Sequence, residues 1–380
     1  MKRRSFLQLA AGLPLLAQAQ KQPSGKQPPK TEWIAWIGTY TRGKSKGIYA
    51  YRWIPGEHKF TALGLAGETG NPSFLAVHPN QRFLYAVNEM DAGTVSAFEI
   101  DRGSGQLKPL NHVSSRGSGP CHVAVDRSGR WAYAANYNSG SVAAFPIKGD
   151  GSLGEASVFV QHTGSSVNPQ RQRGPHAHEV VLSPDNRYLL VADLGLDQVL
   201  VYPVEGESGG FNSRDAAQVK LAPGSGPRHI AFRPDGKFVY VITEMANTVT
   251  AFRYGATRAS FEEIQTISTL PAGYNGPHSG AEIAVHNGHL YASNRGQDSI
   301  AVFRIDPNTG TLTPGGHTPT QGKTPRNFAI DPTGGYLLAA NQDSDSVVLF
   351  RIDGSTGGLV PAGEIWDIGS PVCVAFSSVK

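Results

Sequence analysis

Five ionisable side chains stand out because each one departs from a repeated pattern of apolar strands. They are His176, His178, Arg228, Glu244 and Arg295. Histidine and glutamate can accept a proton, and arginine can stabilise a developing oxyanion or hold a carboxylate through two parallel hydrogen bonds. The five residues therefore predict a binding or catalytic site.

A second group of polar residues lies where apolar strands begin, and we assign this group to substrate binding. It consists of His122, Glu179, His278, Glu282 and Arg326. Asparagines also recur at one position, where the second strand of each unit stops: Asn88, Asn136, Asn294 and Asn341. Because asparagine is favoured in turns, we interpret these four mainly as turn-capping residues, and we place Glu244 in the same column.

Metal binding is an alternative interpretation of the histidines. His176 and His178 alternate along a strand, so adding Glu179 does not give a compact set of ligands on one face. The sequence contains no HExxH, CxxC or calcium-loop motif. A histidine cluster with nearby acids could still hold a divalent ion, but we predict no metal and no cofactor.

The strands that must position these residues repeat about every 50 residues. A small residue followed by proline begins each unit, at Pro72, Pro120, Pro175, Pro227, Pro277, Pro325 and Pro371. Each proline is followed by an apolar triplet and, in most units, by a turn and two more apolar strands; a Gly-rich turn and a weaker fourth strand close the unit. This period and four antiparallel strands per unit predict the blades of a β-propeller.

The two ends of the repeat predict how the ring closes. Six units are complete, residues 36–40 and 47–51 form second and third strands that lack a first strand, and residues 371–376 form a first strand without the rest. We therefore predict an all-β, seven-bladed propeller over residues 33–380, in which the C-terminal strand pairs into the N-terminal blade and no ring edge stays open. First strands would line the central channel, so the polar residues should meet at one channel mouth.

The N-terminal segment differs in composition from the repeats. Lys2, Arg3 and Arg4 precede a short apolar stretch and an A-x-A site that ends at Ala19. This order predicts a signal peptide of the twin-arginine type over residues 1–19, followed by a disordered linker over residues 20–32. We expect an exported or periplasmic protein with no membrane span after leader removal; the alternative is a cytoplasmic protein.

Composition excludes two other classes of protein. Two cysteines in 380 residues cannot form a disulfide scaffold. The formal net charge of +4 arises from basic residues that precede Glu32, so the propeller itself has no strongly basic face. We therefore expect no nucleic-acid partner, and we expect a monomer that acts on a small molecule.

Six stretches carry a resemblance to a known family: Gly226 to His229, Val239 to Glu244, Ala281 to Ile283, Leu290 to Arg295, Pro175 to His178, and Ala192 to Asp197. They resemble the bacterial lactonase family of seven-bladed propellers, of the 6-phosphogluconolactonase type. The resemblance implies hydrolysis of a sugar lactone to an aldonic acid, with a small-molecule lactone as the partner. A non-catalytic propeller that binds a ligand or a protein at the same mouth is the alternative.

Fungal muconate-cycloisomerising propellers look related as well, and a His, a Glu and two Arg have been proposed as their site. Matched by motif, this set is Arg228, Glu244, Arg295 and either His176 or His178. The resemblance therefore implies that a His or Glu244 activates water while the arginines stabilise the oxyanion and hold the product carboxylate.

Overall fold

The computed structural model describes residues 32–205, 208–212, 214 and 216–379. The signal peptide predicted over residues 1–19 lies outside the described residues, and so does the linker predicted over residues 20–32 except for its last residue. That residue, Glu32, forms an ion pair of 3.0 Å with Arg52. Among the described residues, no helix has the length and apolar character needed to cross a bilayer.

The described residues form seven antiparallel sheets of four strands each, together with the short 3₁₀ turns Pro55–Glu57 and Gln342–Ser344. In chain order the strands are β1 (Trp33–Thr39), β2 (Gly47–Ile54), β3 (Lys59–Glu68), β4 (Leu75–Val77), β5 (Phe83–Asn88), β6 (Thr94–Asp101), β7 (Gln106–Ser114), β8 (Pro120–Val125), β9 (Trp131–Asn136), β10 (Ser141–Pro146), β11 (Val158–Gln161), β12 (Ala177–Leu182), β13 (Tyr188–Asp193), β14 (Gln198–Pro203), β15 (Ala217–Lys220), β16 (Pro227–Phe232), β17 (Phe238–Thr243), β18 (Thr248–Gly255), β19 (Ser260–Ser268), β20 (Ser279–His286), β21 (His289–Arg295), β22 (Ser299–Ile305), β23 (Leu312–Pro319), β24 (Pro325–Ile330), β25 (Tyr336–Asn341), β26 (Ser346–Ile352), β27 (Leu359–Asp367) and β28 (Pro371–Ser378).

The predicted seven-bladed propeller and its mode of closure are confirmed. Blade 1 has the strand order β28-β1-β2-β3, and blades 2 to 7 each take four consecutive strands. In blade 1, Trp36 pairs with Ala375, and the Trp36 indole donates a buried hydrogen bond of 2.8 Å to Ser377 Oγ. The C-terminal strand therefore supplies the innermost strand of the N-terminal blade.

The second strand of each blade is buried on both faces because it is sandwiched between two neighbouring blades. All six residues of β5 and all six of β17 are buried. Their tyrosines bury the ring and satisfy the hydroxyl group on a loop of the following blade. Tyr85 donates to the Gly151 carbonyl and Tyr240 to the Gly310 carbonyl, both at 3.0 Å. Apolar packing between blades therefore holds the ring together.

A β-bulge near the start of several first strands turns one side chain out of register. The pairing shifts between Pro120 and His122, and equivalent shifts occur in β12, β16, β24 and β28. The unpaired bulge residues are Cys121, His178, Arg228, Arg326 and Val372. Bulges re-aim side chains, and all five residues line the central cavities described below.

Candidate active site

Three layers of side chains surround the channel at the mouth where first strands begin and second strands end. The outer layer follows the second strands and consists of Tyr40, Glu89, Tyr137, Glu244 and Arg295. The middle layer consists of the bulge residues Cys121, His178, Arg228 and Arg326. The inner layer is one residue further along the first strands and consists of His122, Glu179, His229, Glu282 and Asn327.

The outer and middle layers enclose a cavity of about 360 Å³. It is lined by Tyr40, Glu89, Cys121, Tyr137, Asn138, Arg171, His178, Glu244, Arg295 and Arg326. A narrower cavity lies against it and shares Glu89, Cys121, His178 and Arg326 with it. The two cavities form one polar recess that reaches the inner layer at His229 and Glu282.

Glu244 is the centre of charge in this recess. Its Oε2 lies 3.2 Å from Arg228 Nε and 2.9 Å from Arg295 Nη2, and its Oε1 lies 2.5 Å from Arg171 Nη2. Burial alone would raise the pKa of Glu244, but the three guanidinium groups outweigh burial and hold the pKa far below its ordinary value. Glu244 is therefore an ionised carboxylate and a poor proton acceptor.

The prediction that Glu244 shares a column with the four asparagines is off by one residue. Pro227 pairs with Thr243, just as Pro120 pairs with Asn136, so Thr243 holds the asparagine position and Glu244 follows it. The asparagines do more than cap turns, because their amides also reach the end of the preceding blade. Asn136 donates to the Ser115 carbonyl and Asn341 to the Thr320 carbonyl, both at 3.1 Å.

The structure brings one of the two candidate histidines into the cavity. His178 lines the cavity, is 3% exposed, and its Nδ1 has no hydrogen-bond partner among the described residues. Burial, reinforced by the nearby positive charge of Arg228, holds the pKa of His178 well below 6.5, so the imidazole is neutral at pH 7. His176 instead stacks on Tyr137 at 4.6 Å and donates from Nδ1 to the Tyr137 carbonyl.

The inner layer is a buried polar network that links neighbouring blades. His229 donates from Nδ1 to Glu282 at 2.9 Å, and Asn327 donates to the other oxygen of Glu282. Burial lowers the pKa of His229, which leaves a neutral ring. Burial and the nearby charge of Glu282 raise the pKa of Glu179 well above its ordinary value, which favours the protonated acid. These contacts hold first strands together across blades.

The residues assigned to substrate binding are therefore placed at different depths. Arg326 lines both cavities and Glu282 lines the narrower one. His122 and Glu179 are buried in the inner layer, with 3.5 Å between His122 Nε2 and Glu179 Oε1, and line neither cavity. His278 is exposed and also lies outside both cavities, because it precedes β20 and the register shift of that strand comes later, between Gly280 and Ile283.

Arg326 presents an unused guanidinium group to the cavity. Its Cζ lies 5.5 Å from the centre of the Tyr40 ring, and the Tyr40 hydroxyl donates to Glu89 at 2.9 Å. The Arg326 guanidinium makes no hydrogen bond to any residue in the described part of the chain. Its donors are therefore available to a bound molecule, whereas Arg228 and Arg295 donate to Glu244 and to carbonyl groups, and Arg295 Nε is buried without a partner among the described residues.

Sequence reasoning missed Arg171, which lies in the loop between β11 and β12. The only signal was the spacing from Pro120 to Pro175, which is the longest between successive prolines of the repeat. A longer unit indicates an inserted loop, but nothing in the spacing says that one of its residues turns back over the cavity. Within the described ranges, no three His, Cys, Asp or Glu side chains are grouped so that they could hold a metal ion.

Comparison with known proteins identifies the family. The family model described as "Lactonase, 7-bladed beta-propeller" matches residues 34–376. The chain belongs to this lactonase family. A curated relative from Bacillus subtilis (strain 168), named 6-phosphogluconolactonase, is 39% identical over 310 residues, which are 80% of this chain and 86% of the relative. The protein is therefore a lactonase.

Two solved structures of similar proteins agree with this membership. The periplasmic gluconolactonase of Pseudomonas aeruginosa is 34% identical, with a TM-score of 0.87 over 92% of this lactonase and 100% of that chain. A 6-phosphogluconolactonase, described as putative, from Bacteroides fragilis is 37% identical, with a TM-score of 0.84 over 91% and 98% of the two chains. Lactone hydrolysis is thus the reaction that the site has to support.

Proposed function

We propose that this lactonase hydrolyses a sugar lactone to the aldonic acid, with His178 as the proton acceptor and Arg326 as the group that stabilises the oxyanion. A water molecule loses a proton to His178 while its oxygen bonds to the carbonyl carbon. The ring C–O bond then breaks, and the ring oxygen takes the proton from His178 and becomes a hydroxyl group. The new carboxylic acid ionises to a carboxylate.

The observation that carries this proposal is the pairing of a neutral imidazole with an unused guanidinium in one cavity. His178 has an unpartnered Nδ1, and Arg326 has free donors beside it. A general base must be unprotonated, and an oxyanion needs donors already in place, so each group is in the state its role requires. A lactone is an activated ester and needs little more than these two groups.

Glu244 has an electrostatic role in this proposal rather than a proton-transfer role. A carboxylate held by three arginines is too weak a base to take a proton from water. It fixes the positions of Arg228 and Arg295, whose side chains are 2% and 14% exposed. The roles expected from the resemblance are therefore exchanged: Arg228 and Arg295 orient the site, and Arg326 contacts the substrate.

The formal charge of the cavity fits a neutral substrate that becomes an anion. Three arginines and two glutamates line it, which leaves one excess positive charge. Hydrolysis creates one carboxylate, so the product balances the cavity charge. The relatives are named for lactones with and without a phosphate. We propose the unphosphorylated sugar lactone, because phosphogluconolactone is a cytoplasmic metabolite and the leader, which lies outside the described residues, predicts export.

The test compares hydrolysis of D-glucono-1,5-lactone and of its 6-phosphate by the wild type, His178→Gln and His112→Gln. Initial rates are measured at pH 6.5, and the uncatalysed rate is subtracted. His112 is an exposed histidine outside the channel and serves as the matched control. We expect His178→Gln to lower kcat by roughly 10²- to 10⁴-fold, the scale of a positioned acid–base group, and His112→Gln to have no effect.

Two outcomes would contradict the proposal. A folded His178→Gln enzyme with wild-type kcat would remove His178 from the chemistry. A wild type no faster than the uncatalysed reaction on either lactone would instead favour the alternative, a propeller that binds a ligand at the same mouth without catalysis.

A further inference from the structure

The loop that carries Arg171 is held in one conformation by side-chain hydrogen bonds. Gln172 is fully buried, donates to the Leu194 carbonyl at 2.8 Å and accepts from the backbone of Asn168 at 3.0 Å. Asn168 in turn accepts from the backbone amides of Gln170 and Arg171, both at 3.0 Å. The backbone at Arg171 is therefore fixed rather than free to sample many positions.

A second set of contacts ties this loop to the strand that carries Arg228. Ser166 donates to Asp197 Oδ2 at 2.5 Å, and Asp197 Oδ1 accepts from the Gly226 amide at 2.7 Å. The Gly226 carbonyl then accepts from the Glu244 amide at 2.6 Å. The loop and the Glu244 cluster are thus parts of one hydrogen-bonded structure.

Arg171 meets Glu244 from the solvent side with only one of its three nitrogens. Its Nη2 donates to Glu244 Oε1 at 2.5 Å and to the Tyr137 hydroxyl at 3.0 Å. Its Nε and Nη1 make no hydrogen bond to any described residue, and its side chain is 43% exposed at the cavity wall. Buried Arg228, by contrast, uses Nε on Glu244 and Nη1 on the Ala281 carbonyl.

We propose that Arg171 contacts the ligand directly and binds the carboxylate that ring opening creates. This inference rests on the proposed lactone hydrolysis. Both bidentate edges of a guanidinium include Nη2, which is occupied, so Nε and Nη1 are left to donate single, charge-assisted hydrogen bonds to a carboxylate oxygen. The carboxylate is present only in the product, so Arg171 acts mainly on product affinity and thereby on release. Together with Arg326 it supplies cavity donors that no described residue uses.

The experiment compares Arg171→Ala and Arg171→Lys with Arg173→Ala. Arg173 belongs to the same loop, is exposed, donates to the Pro169 carbonyl and does not line the cavity, so it controls for loss of charge from the loop. For each purified full-length protein we would measure kcat and KM on D-glucono-1,5-lactone, the inhibition constant of D-gluconate, and D-gluconate affinity by calorimetry.

We expect Arg171→Ala to weaken D-gluconate binding at least about tenfold, both in the inhibition constant and in calorimetry. A hydrogen bond to a charged group contributes about 1.5–3 kcal/mol, and about 1.4 kcal/mol corresponds to a factor of ten. Arg171→Lys should recover part of this loss, since lysine keeps the charge but not the positions of the guanidinium donors. Arg173→Ala should stay within about twofold of the wild type. Arg228 and Arg295 keep Glu244 paired in every variant, so we expect only a small change in melting temperature.

Four outcomes would overturn the inference. The first is unchanged D-gluconate binding in Arg171→Ala. The second is a lower kcat with unchanged KM and unchanged D-gluconate affinity, because Arg171 would then act only through Glu244. The third is an equal loss in Arg173→Ala. The fourth is the absence of D-gluconate binding by the wild type. If the wild type hydrolyses no lactone, the proposed function fails, but the calorimetric comparison still decides whether Arg171 binds a carboxylate.

Discussion

A buried histidine that stays neutral sets the pH dependence expected of this enzyme. His178 must be unprotonated to accept a proton, and burial with the nearby Arg228 charge places its pKa well below 6.5. The kcat/KM value should therefore be flat between about pH 6.5 and 8 and should fall at lower pH, as His178 becomes protonated. Initial rates on D-glucono-1,5-lactone, measured from pH 8 downwards through the fall in kcat/KM, give the midpoint, and a midpoint above pH 7 would contradict a neutral His178.

At the level of single residues, the sequence predicted the parts of the site that interrupt the repeat. Arg228, Glu244 and Arg295 stood out because neighbouring units have other residues at those positions, and all three meet in one cluster. The choice between His176 and His178 depended on which residue occupies the bulge, and the apolar pattern does not contain that information. Arg171 has no equivalent in other units, so no comparison between repeats could reveal it.

At the level of strands, pairing order follows from the repeat, but register does not. The apolar triplets and turns were enough to predict which strands pair and that their ends meet at one mouth. A bulge adds one residue without changing the apolar pattern on either side, so the shift that turns His178 and Arg326 towards the channel stays hidden in the sequence. The misplacement of Glu244 has a different cause, because Thr243 directly follows the apolar run of its strand, as Asn136 does in β9, and Glu244 comes one residue later.

The asparagine that ends a second strand should stabilise the propeller without affecting catalysis. Asn341 is fully buried, donates to the Thr320 carbonyl of the preceding blade, and does not line the cavity. Replacing it by alanine should lower the free energy of unfolding by about 1–3 kcal/mol, because the Thr320 carbonyl loses its partner. Chemical denaturation and kcat measure the two effects.

The matched control is Asn308→Ala, which removes an exposed loop asparagine. This control should leave the unfolding free energy within about 0.5 kcal/mol of the wild type. An Asn341→Ala protein with unchanged stability would show that the contact between blades contributes nothing. A large fall in kcat at a temperature where the variant is fully folded would show that this column belongs to the site.

At the level of the whole molecule, closure of the ring is what assembles the site. The cavity takes Tyr40 from blade 1, Glu89 from blade 2, Cys121 and Tyr137 from blade 3, His178 from blade 4, Glu244 from blade 5, Arg295 from blade 6 and Arg326 from blade 7. Each blade supplies at least one wall residue, so the pairing of β28 with β1 positions groups that are far apart in sequence. The period and the unmatched terminal strands were sufficient to predict this closure.

Glu244 and the three arginines that surround it organise lactone hydrolysis at this mouth. The most direct test of this claim is to measure kcat/KM on D-glucono-1,5-lactone for the wild type, Glu244→Gln and Glu244→Asp. Removing the charge leaves three arginines without their shared anion, so Glu244→Gln should lose stability as well. Activity is therefore measured well below each melting temperature, and Glu244→Asp, which keeps the charge, separates charge from shape.

We predict that the wild type hydrolyses the lactone faster than the uncatalysed reaction. Folded Glu244→Gln should lose at least about 100-fold in kcat/KM, which is the scale seen when one preorganised electrostatic group is removed. Glu244→Asp should retain an intermediate activity. A folded Glu244→Gln enzyme with the kcat/KM of the wild type would contradict the claim.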